Sequence, residues 1–226
     1  MEKDIKLIIF DFDGTLADTR ELIVRTNQEA MKAMNYPVRD EEAIRKTIGL
    51  PLEAGIRTLF PELTEEEVPA WCAMYRKVFD VLKNQIVPTL FPEVKETLEW
   101  LHGKGFILTV ASSRHSSSLN AFLRDMGIAE YFQYVLGADN VAKAKPDPEP
   151  VLQTLRDLGY QPSEALVVGD MPVDILMGAR AGAGTVGVTY GNSNRSELTQ
   201  AGADYVLDAF SELKAAIAGW NSCCRG

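Results

Sequence analysis

An apolar run, Ile5-Lys6-Leu7-Ile8-Ile9-Phe10, breaks directly into Asp11-Phe12-Asp13-Gly14-Thr15-Leu16. The run has the length and composition of a buried strand, and Gly14 with Thr15 ends it. In extended chain Asp11 and Asp13 point to one side and Phe12 to the other. Two carboxylates are therefore held together where a strand runs out, the position at which open parallel sheets bind ligands. Like charges this close invite a cation, a shared proton, or both. A calcium loop of the EF-hand type needs Gly at its sixth position and Glu at its twelfth. Counted from Asp11, those positions hold Leu16 and Leu22, and the preceding flank is strand-like, so that reading is set aside.

Further strands repeat the same design. Phe106-Ile107-Leu108-Thr109-Val110-Ala111 is apolar and closes in Ser112-Ser113, and Ala165-Leu166-Val167-Val168 delivers Gly169-Asp170. Phe132 to Leu136, Thr185 to Thr189 and Tyr205 to Leu207 are shorter strands. Helical spacing and Gly stops lie between them, with Pro172 suited to a helix first turn. Strands alternating with helices predict an α/β fold, a doubly wound parallel sheet covered on both faces. One block departs from this rhythm. From residue 18 to 86 the pattern is helical throughout: Leu22 to Met34, Glu41 to Ile48, Leu52 to Leu59, and a helix through Trp71, Val78 and Leu82 whose start reads as a capping box from Thr64 to Glu67. The expected organisation is a core of residues 1–17 and 87–226 with a small inserted α-helical domain over 18–86.

The chain has 32 acidic and 23 basic residues, a net charge of −9, which argues against a nucleic-acid partner. A local cluster of Lys, Arg and metal still suits an anionic substrate. No apolar run approaches the roughly 20 residues of a membrane helix, and no signal peptide is evident. The expected location is cytoplasmic. Three cysteines without framework spacing fit reduced thiols, and the adjacent Cys223 and Cys224 read as incidental in a frayed end rather than as a metal or cross-linking pair. No heptad or symmetric patch is evident, so monomer and homodimer both stand.

Asp11-Phe12-Asp13-Gly14-Thr15, Ser112, Lys145 and Gly169-Asp170 with Asp174 occur in the order and at the kind of spacing found in the haloacid dehalogenase superfamily, and the chain resembles it from the first strand to at least Asp174. Lys145-Pro146-Asp147-Pro148 and Gly187-Val188-Thr189-Tyr190-Gly191 resemble the phosphoglycolate phosphatase branch. The resemblance implies a Rossmann-like core with a helical cap, and a magnesium-dependent phosphatase acting on a small phosphorylated metabolite through an aspartyl-phosphate. It assigns Asp11 as nucleophile and Asp13 as general acid and base. Ser112 binds a phosphoryl oxygen, with Ser113 as its rival. Lys145 pairs with phosphate and Asp11, with Lys143 as the competing lysine. The magnesium ligands are Asp11, Asp13 through its backbone carbonyl, and Asp170; Asp174 joins them, positions Lys145, or acts through water. The dehalogenases of the superfamily lack the second Asp, so Asp13 favours phosphate over carbon–halogen chemistry. Thr19 and Arg20 at the entry to the insert, Gly49 with Arg45, Lys46 and Arg57 in a candidate specificity loop, and Ser113 with Arg114 are the candidate substrate contacts. Phosphosugar mutases of this branch usually carry a His where Ile23 stands, which lowers that reading. His102 suits a structural place at a helix end, and His115 is a weaker candidate for the cleft. A pyrophosphatase of the same superfamily and a catalytically silent binding module are the remaining alternatives.

Overall fold

The structure is a computed structural model that describes residues 4–222, so Cys223 and Cys224 lie outside the described residues. The first strand, β1 (Leu7–Phe10), is buried along its whole length. A strand with apolar residues on both faces needs a cover on both. Here it sits inside a six-stranded sheet in which every pairing is parallel. The chain leaves β1 through β2 (Ala17–Asp18) into four helices: α1 (Arg20–Ala33), α2 (Glu41–Arg45), α3 (Leu52–Leu59) and α4 (Glu67–Leu82). It returns through β3 (Thr89–Leu90), which pairs antiparallel with β2. The core then proceeds through α5 (Val94–Gly103), β4 (Ile107–Ala111), α6 (Ser116–Asp125), β5 (Phe132–Leu136), α7 (Glu149–Leu158), β6 (Ala165–Gly169), α8 (Pro172–Ala181), β7 (Gly184–Val188), α9 (Arg195–Gln200), β8 (Tyr205–Leu207) and α10 (Leu213–Ser222). The sheet order is β5-β4-β1-β6-β7-β8, so the winding reverses beside β1. This is the doubly wound, Rossmann-like architecture expected from the alternating pattern.

Side-chain alternation along β1 divides the core. Ile8 and Phe10 pack with Leu108, Val110, Leu166 and Val168 beneath α5, α6 and α10. Leu7 and Ile9 face the other way, against Val151 and Leu155 of α7 and Met177 and Ala181 of α8. The helical insert holds its own cluster, built around Met31, Ile56, Phe60 and Trp71. Tyr36 meets Phe60 and Trp71 edge-on there and Phe60 lies tilted against Trp71, with ring centroids 5.0–5.3 Å apart. Its α4 also reaches the core: Phe79 packs in the sheet's cluster, 6.3 Å from the Phe122 ring.

Two local expectations need correction. The second helix of the insert ends at Arg45 rather than Ile48, because the chain turns through Thr47 and Ile48 into Gly49 at φ +89°. The box at Thr64 is half formed. Glu67 accepts from the Thr64 amide, but the Thr64 hydroxyl donates to the same carboxylate instead of capping a backbone N–H, and α4 begins only at Glu67.

Candidate active site

Parallel register sets the site. Phe10 lies level with Val110 of β4 and Val168 of β6. The residues just past these three central strands, Asp11, Ser112 and Asp170, therefore come out side by side at one end of the sheet. All three are buried, as are Asp13, Lys145 and Asp174. The loop after β1 is drawn tight by the Phe12 carbonyl, which accepts from the Leu16 and Ala17 amides. Phe12 goes to the core, stacked on Phe122 with centroids 6.0 Å apart, and the flanking Asp11 and Asp13 are buried beside it.

Lys145, on the loop before α7, inserts its ammonium between two carboxylates. It donates to Asp11 Oδ1 at 2.6 Å and to Asp174 Oδ1 at 2.7 Å. Burial by itself disfavours the charged amine, but Asp11 and Asp174 outweigh it and raise the Lys145 pKa, so the group is an ammonium. The rival Lys143 is exposed and lies 3.8 Å from Asp147. Asp174, in the first turn of α8, uses its other oxygen to accept from the Met171 amide. Its hydrogen-bond partner in the site is Lys145. Asp170 accepts from the Asn192 amide at 2.7 Å, from Asn192 Nδ2 at 2.9 Å and from the Thr15 hydroxyl at 3.2 Å.

Asp11 Oδ2 is buried and has no hydrogen-bond partner. A buried carboxylate oxygen left so is costly, and it points to a missing positive group. Asp11, Asp170 and Asp174 each offer an oxygen within 4.8 Å of the others. Burial first, and then the neighbouring carboxylates, raises Asp11 well above the usual carboxylate range in spite of Lys145. Burial and Asp174 push Asp170 up to about 7. An all-oxygen donor set with excess negative charge suits a hard divalent cation, so the cluster fits a metal site.

Asp13 makes a different contact. Its two oxygens are forked by Arg114, with Nη2 at 2.5 Å from Oδ1 and Nε at 3.1 Å from Oδ2. Ser112 Oγ accepts from the Arg114 amide at 3.2 Å, which turns the chain after β4. Ser113 instead donates to the Gly49 carbonyl at 2.6 Å, tying the core to the insert. Thr19 is buried with an unpartnered hydroxyl just ahead of α1. Arg20 holds the Gly191 carbonyl and the Asn192 side-chain oxygen, so it braces the loop that holds Asp170. Arg57 of α3 is ion-paired with Glu65 in the insert at 2.6 Å. His115 is exposed, bonded to Ser117 and 3.6 Å from Asp139. Asn192 is a site residue to which none of the sequence motifs points. Its signal is the polar Gly191-Asn192-Ser193-Asn194 stretch just beyond a strand end.

The family model of the haloacid dehalogenase-like hydrolases matches residues 8–188, which span all of these groups except the Asn192 loop. The chain belongs to that family. Among curated relatives, it is 40% identical over 212 residues to "Probable phosphatase IndB" of Dickeya dadantii, covering 92% of this chain and 91% of that one. It is 34% identical over 227 residues to a phosphoglycolate phosphatase of Vibrio parahaemolyticus, covering 96% and 98%. A Bacteroides fragilis crystal structure described as a "putative haloacid dehalogenase-like hydrolase" superposes with a TM-score of 0.89 at 28% identity, over 93% of this chain and all of that one. The haloacid dehalogenase-like fold and an enzyme of the phosphatase branch are therefore established for this chain. Among its described residues, no helix is long and apolar enough to cross a membrane.

Proposed function

We propose that the protein hydrolyses small phosphomonoesters through a phosphorylated Asp11, with magnesium as its metal, and that phosphoglycolate is the substrate to test first. The observation that carries this reading is the buried Asp11 carboxylate. One oxygen is held by Lys145, and the other is unpartnered beside Asp170. Asp11 and Asp170 would hold the ion with the Asp13 backbone carbonyl, while Asp174 contributes by fixing Lys145. When bound, magnesium supplies positive charge that offsets repulsion between carboxylate and phosphate.

The chain's own groups account for the remaining work. Lys145 orients Asp11 and offers its charge to the phosphoryl group. Ser112 lies beside Asp11 and offers its hydroxyl to a phosphoryl oxygen. An Asp11 oxygen forms a bond to phosphorus as the bond from phosphorus to the ester oxygen breaks. Asp13, once it has left its ion pair with Arg114 and taken up a proton, gives that proton to the leaving oxygen and regains one from the water that attacks phosphorus, so the proton balance closes over each turnover. That second step releases phosphate and restores Asp11. The insert of residues 18–86 acts as a cap that keeps bulk water from this exchange, a role supported by the Ser113 contact to Gly49. The free, buried Cys72 accords with a cytoplasmic setting.

Phosphate release from phosphoglycolate and other small esters, with magnesium and with chelator, tests the reading. Release should require the ion. Asp11→Asn should abolish it in a folded protein. Asp13→Asn should slow turnover about 10²–10⁴-fold, the usual range for a lost acid–base group, with phosphorylated Asp11 accumulating. Full hydrolysis by Asp11→Asn would overturn the nucleophile assignment.

A further inference from the structure

Arg114 is a buried cation whose counter-ion has other work to do. Its side chain is 9% exposed, and its guanidinium lies 4.9 Å from the Phe122 ring centroid, 5.3 Å from Phe79 and 5.9 Å from Phe12. Phe79 belongs to α4 of the insert, so this aromatic box is completed from both parts of the chain. Of the five N–H donors of a guanidinium, two go to Asp13 and one to Ser118 Oγ at 3.3 Å. Among the described residues, Asp13 is the carboxylate that hydrogen-bonds Arg114. The nearby Asp11 is already held by Lys145. On the mechanism above, Asp13 must leave the guanidinium, take up a proton and turn toward the leaving oxygen. A desolvated guanidinium does not give up its anion without a replacement. Asp11, the other carboxylate near Arg114, is held by Lys145 and is given over to phosphorus and the metal, so the replacement has to arrive with the substrate.

We propose that Arg114 is the receptor for a second oxyanion on the substrate's leaving group, and that Asp13 occupies this receptor until the substrate displaces it. The proposal rests on the phosphatase reading and on Asp13 as its acid–base group. Distances set the kind of substrate. Asp13 reaches the leaving oxygen over a hydrogen bond of about 2.7 Å, and Arg114 lies 2.5–3.1 Å beyond the Asp13 oxygens. A carboxylate carbon one methylene away lies about 2.5 Å from the ester oxygen by ordinary bond lengths. Such a group spans the gap. A phosphoryl group attached directly to the leaving oxygen spans it as well, whereas a plain alkyl leaving group leaves the guanidinium without an anion. Arginine, rather than lysine, suits a planar two-oxygen partner. Arg114 is thus a specificity-determining residue, and it links recognition of the leaving group to release of Asp13.

The test compares kcat/KM for 2-phosphoglycolate, pyrophosphate and ethyl phosphate, with magnesium, in the full chain and in its Arg114→Gln and Arg114→Lys variants. The unaltered protein should prefer one of the two doubly anionic substrates over ethyl phosphate by at least tenfold, and which one identifies the oxyanion as carboxylate or phosphoryl. Arg114→Gln should lower that preference at least tenfold, chiefly through KM. Arg114→Lys, with charge but no fork, should lower it at least threefold, and it decides the matter if the glutamine variant does not fold. A merely structural arginine would slow all three substrates together and leave the ratio unchanged, and an unchanged ratio overturns the proposal. Absence of any preference for a second oxyanion in the unaltered protein overturns it too while leaving the phosphatase reading intact. Hydrolysis of none of the three would remove both.

Discussion

Asp170 carries the sharpest consequence at the scale of single residues. It is fully buried, and burial with Asp174 nearby pushes its pKa from 3.8 up to about 7. A group whose pKa is higher in the folded state binds extra protons there. Its stabilising contribution is complete below about pH 3.8 and is lost as pH rises through about 7. Asp11 is shifted in the same direction and adds to the effect. Lys145, also raised, loses its contribution only in strong alkali and leaves this window untouched. Metal-free protein should therefore lose stability between pH 5.5 and pH 8, and an ion bound to the ionised carboxylates should restore it. The rise in Tm on adding magnesium should be larger at pH 8 than at pH 5.5, and Asp170→Asn should remove most of that difference. Equal rises at both pH values in the unaltered protein would take Asp170 out of the ligand set.

At the scale of elements, the turn after β1 decides whether the strand ends can meet. Gly14 sits at φ +88°, and a Cβ there would run into the Asp170 carboxylate and the Asn192 side chain. Only the absence of a side chain lets the two loops close. Gly105, before β4, has a similar φ of +85° but open space around it, which makes it a matched control. Gly105→Ala should show only the backbone cost of about 1–2 kcal/mol, or about 2–8 °C in Tm at about 2–4 °C per kcal/mol for a domain of this size. Gly14→Ala should show that loss and, in addition, a rise of about tenfold in the magnesium concentration needed for activity, if displacing Asp170 costs about 1.4 kcal/mol. Thermal melts and magnesium titrations of the two variants make the comparison. Matching titrations would mean that Asp170 does not depend on the close approach.

Across the whole molecule, three contacts tie the insert and its entry to the catalytic end of the sheet. Arg45 of α2 donates to the Asn192 carbonyl, Arg20 to the Gly191 carbonyl, and Ser113 to the Gly49 carbonyl. The same Asn192 grips Asp170 through its amide and side chain. Contact between the insert and this loop is in this way joined to the orientation of a candidate metal ligand. Arg45→Ala should speed hydrogen exchange of the 191–193 amides and weaken magnesium dependence severalfold. Arg57→Ala, which removes an exposed pair with Glu65, should do neither. If the two variants behave alike, the insert does not steady this loop.

The range of the forces involved explains how much of this was legible in the sequence. Strands such as Leu7–Phe10 and Ala165–Gly169 announce themselves because a doubly covered sheet demands unbroken apolar runs. Parallel register carries Asp11, Ser112 and Asp170, the residues just past adjacent strands, to one end of the sheet, where the strand pattern places them. Helical periodicity likewise marked the insert. What the arginines touch was not legible. Arg114 on Asp13, Arg20 and Arg45 on the 191–192 loop, and Arg57 on Glu65 pair residues far apart in the chain or separated by a turn. Pattern and propensity act over a few neighbouring residues, so the sequence by itself determined the strands, their winding and the groups at their ends. Partners among long charged side chains depend on which loops the packed core brings within about 3 Å of one another, and only the tertiary structure decides that.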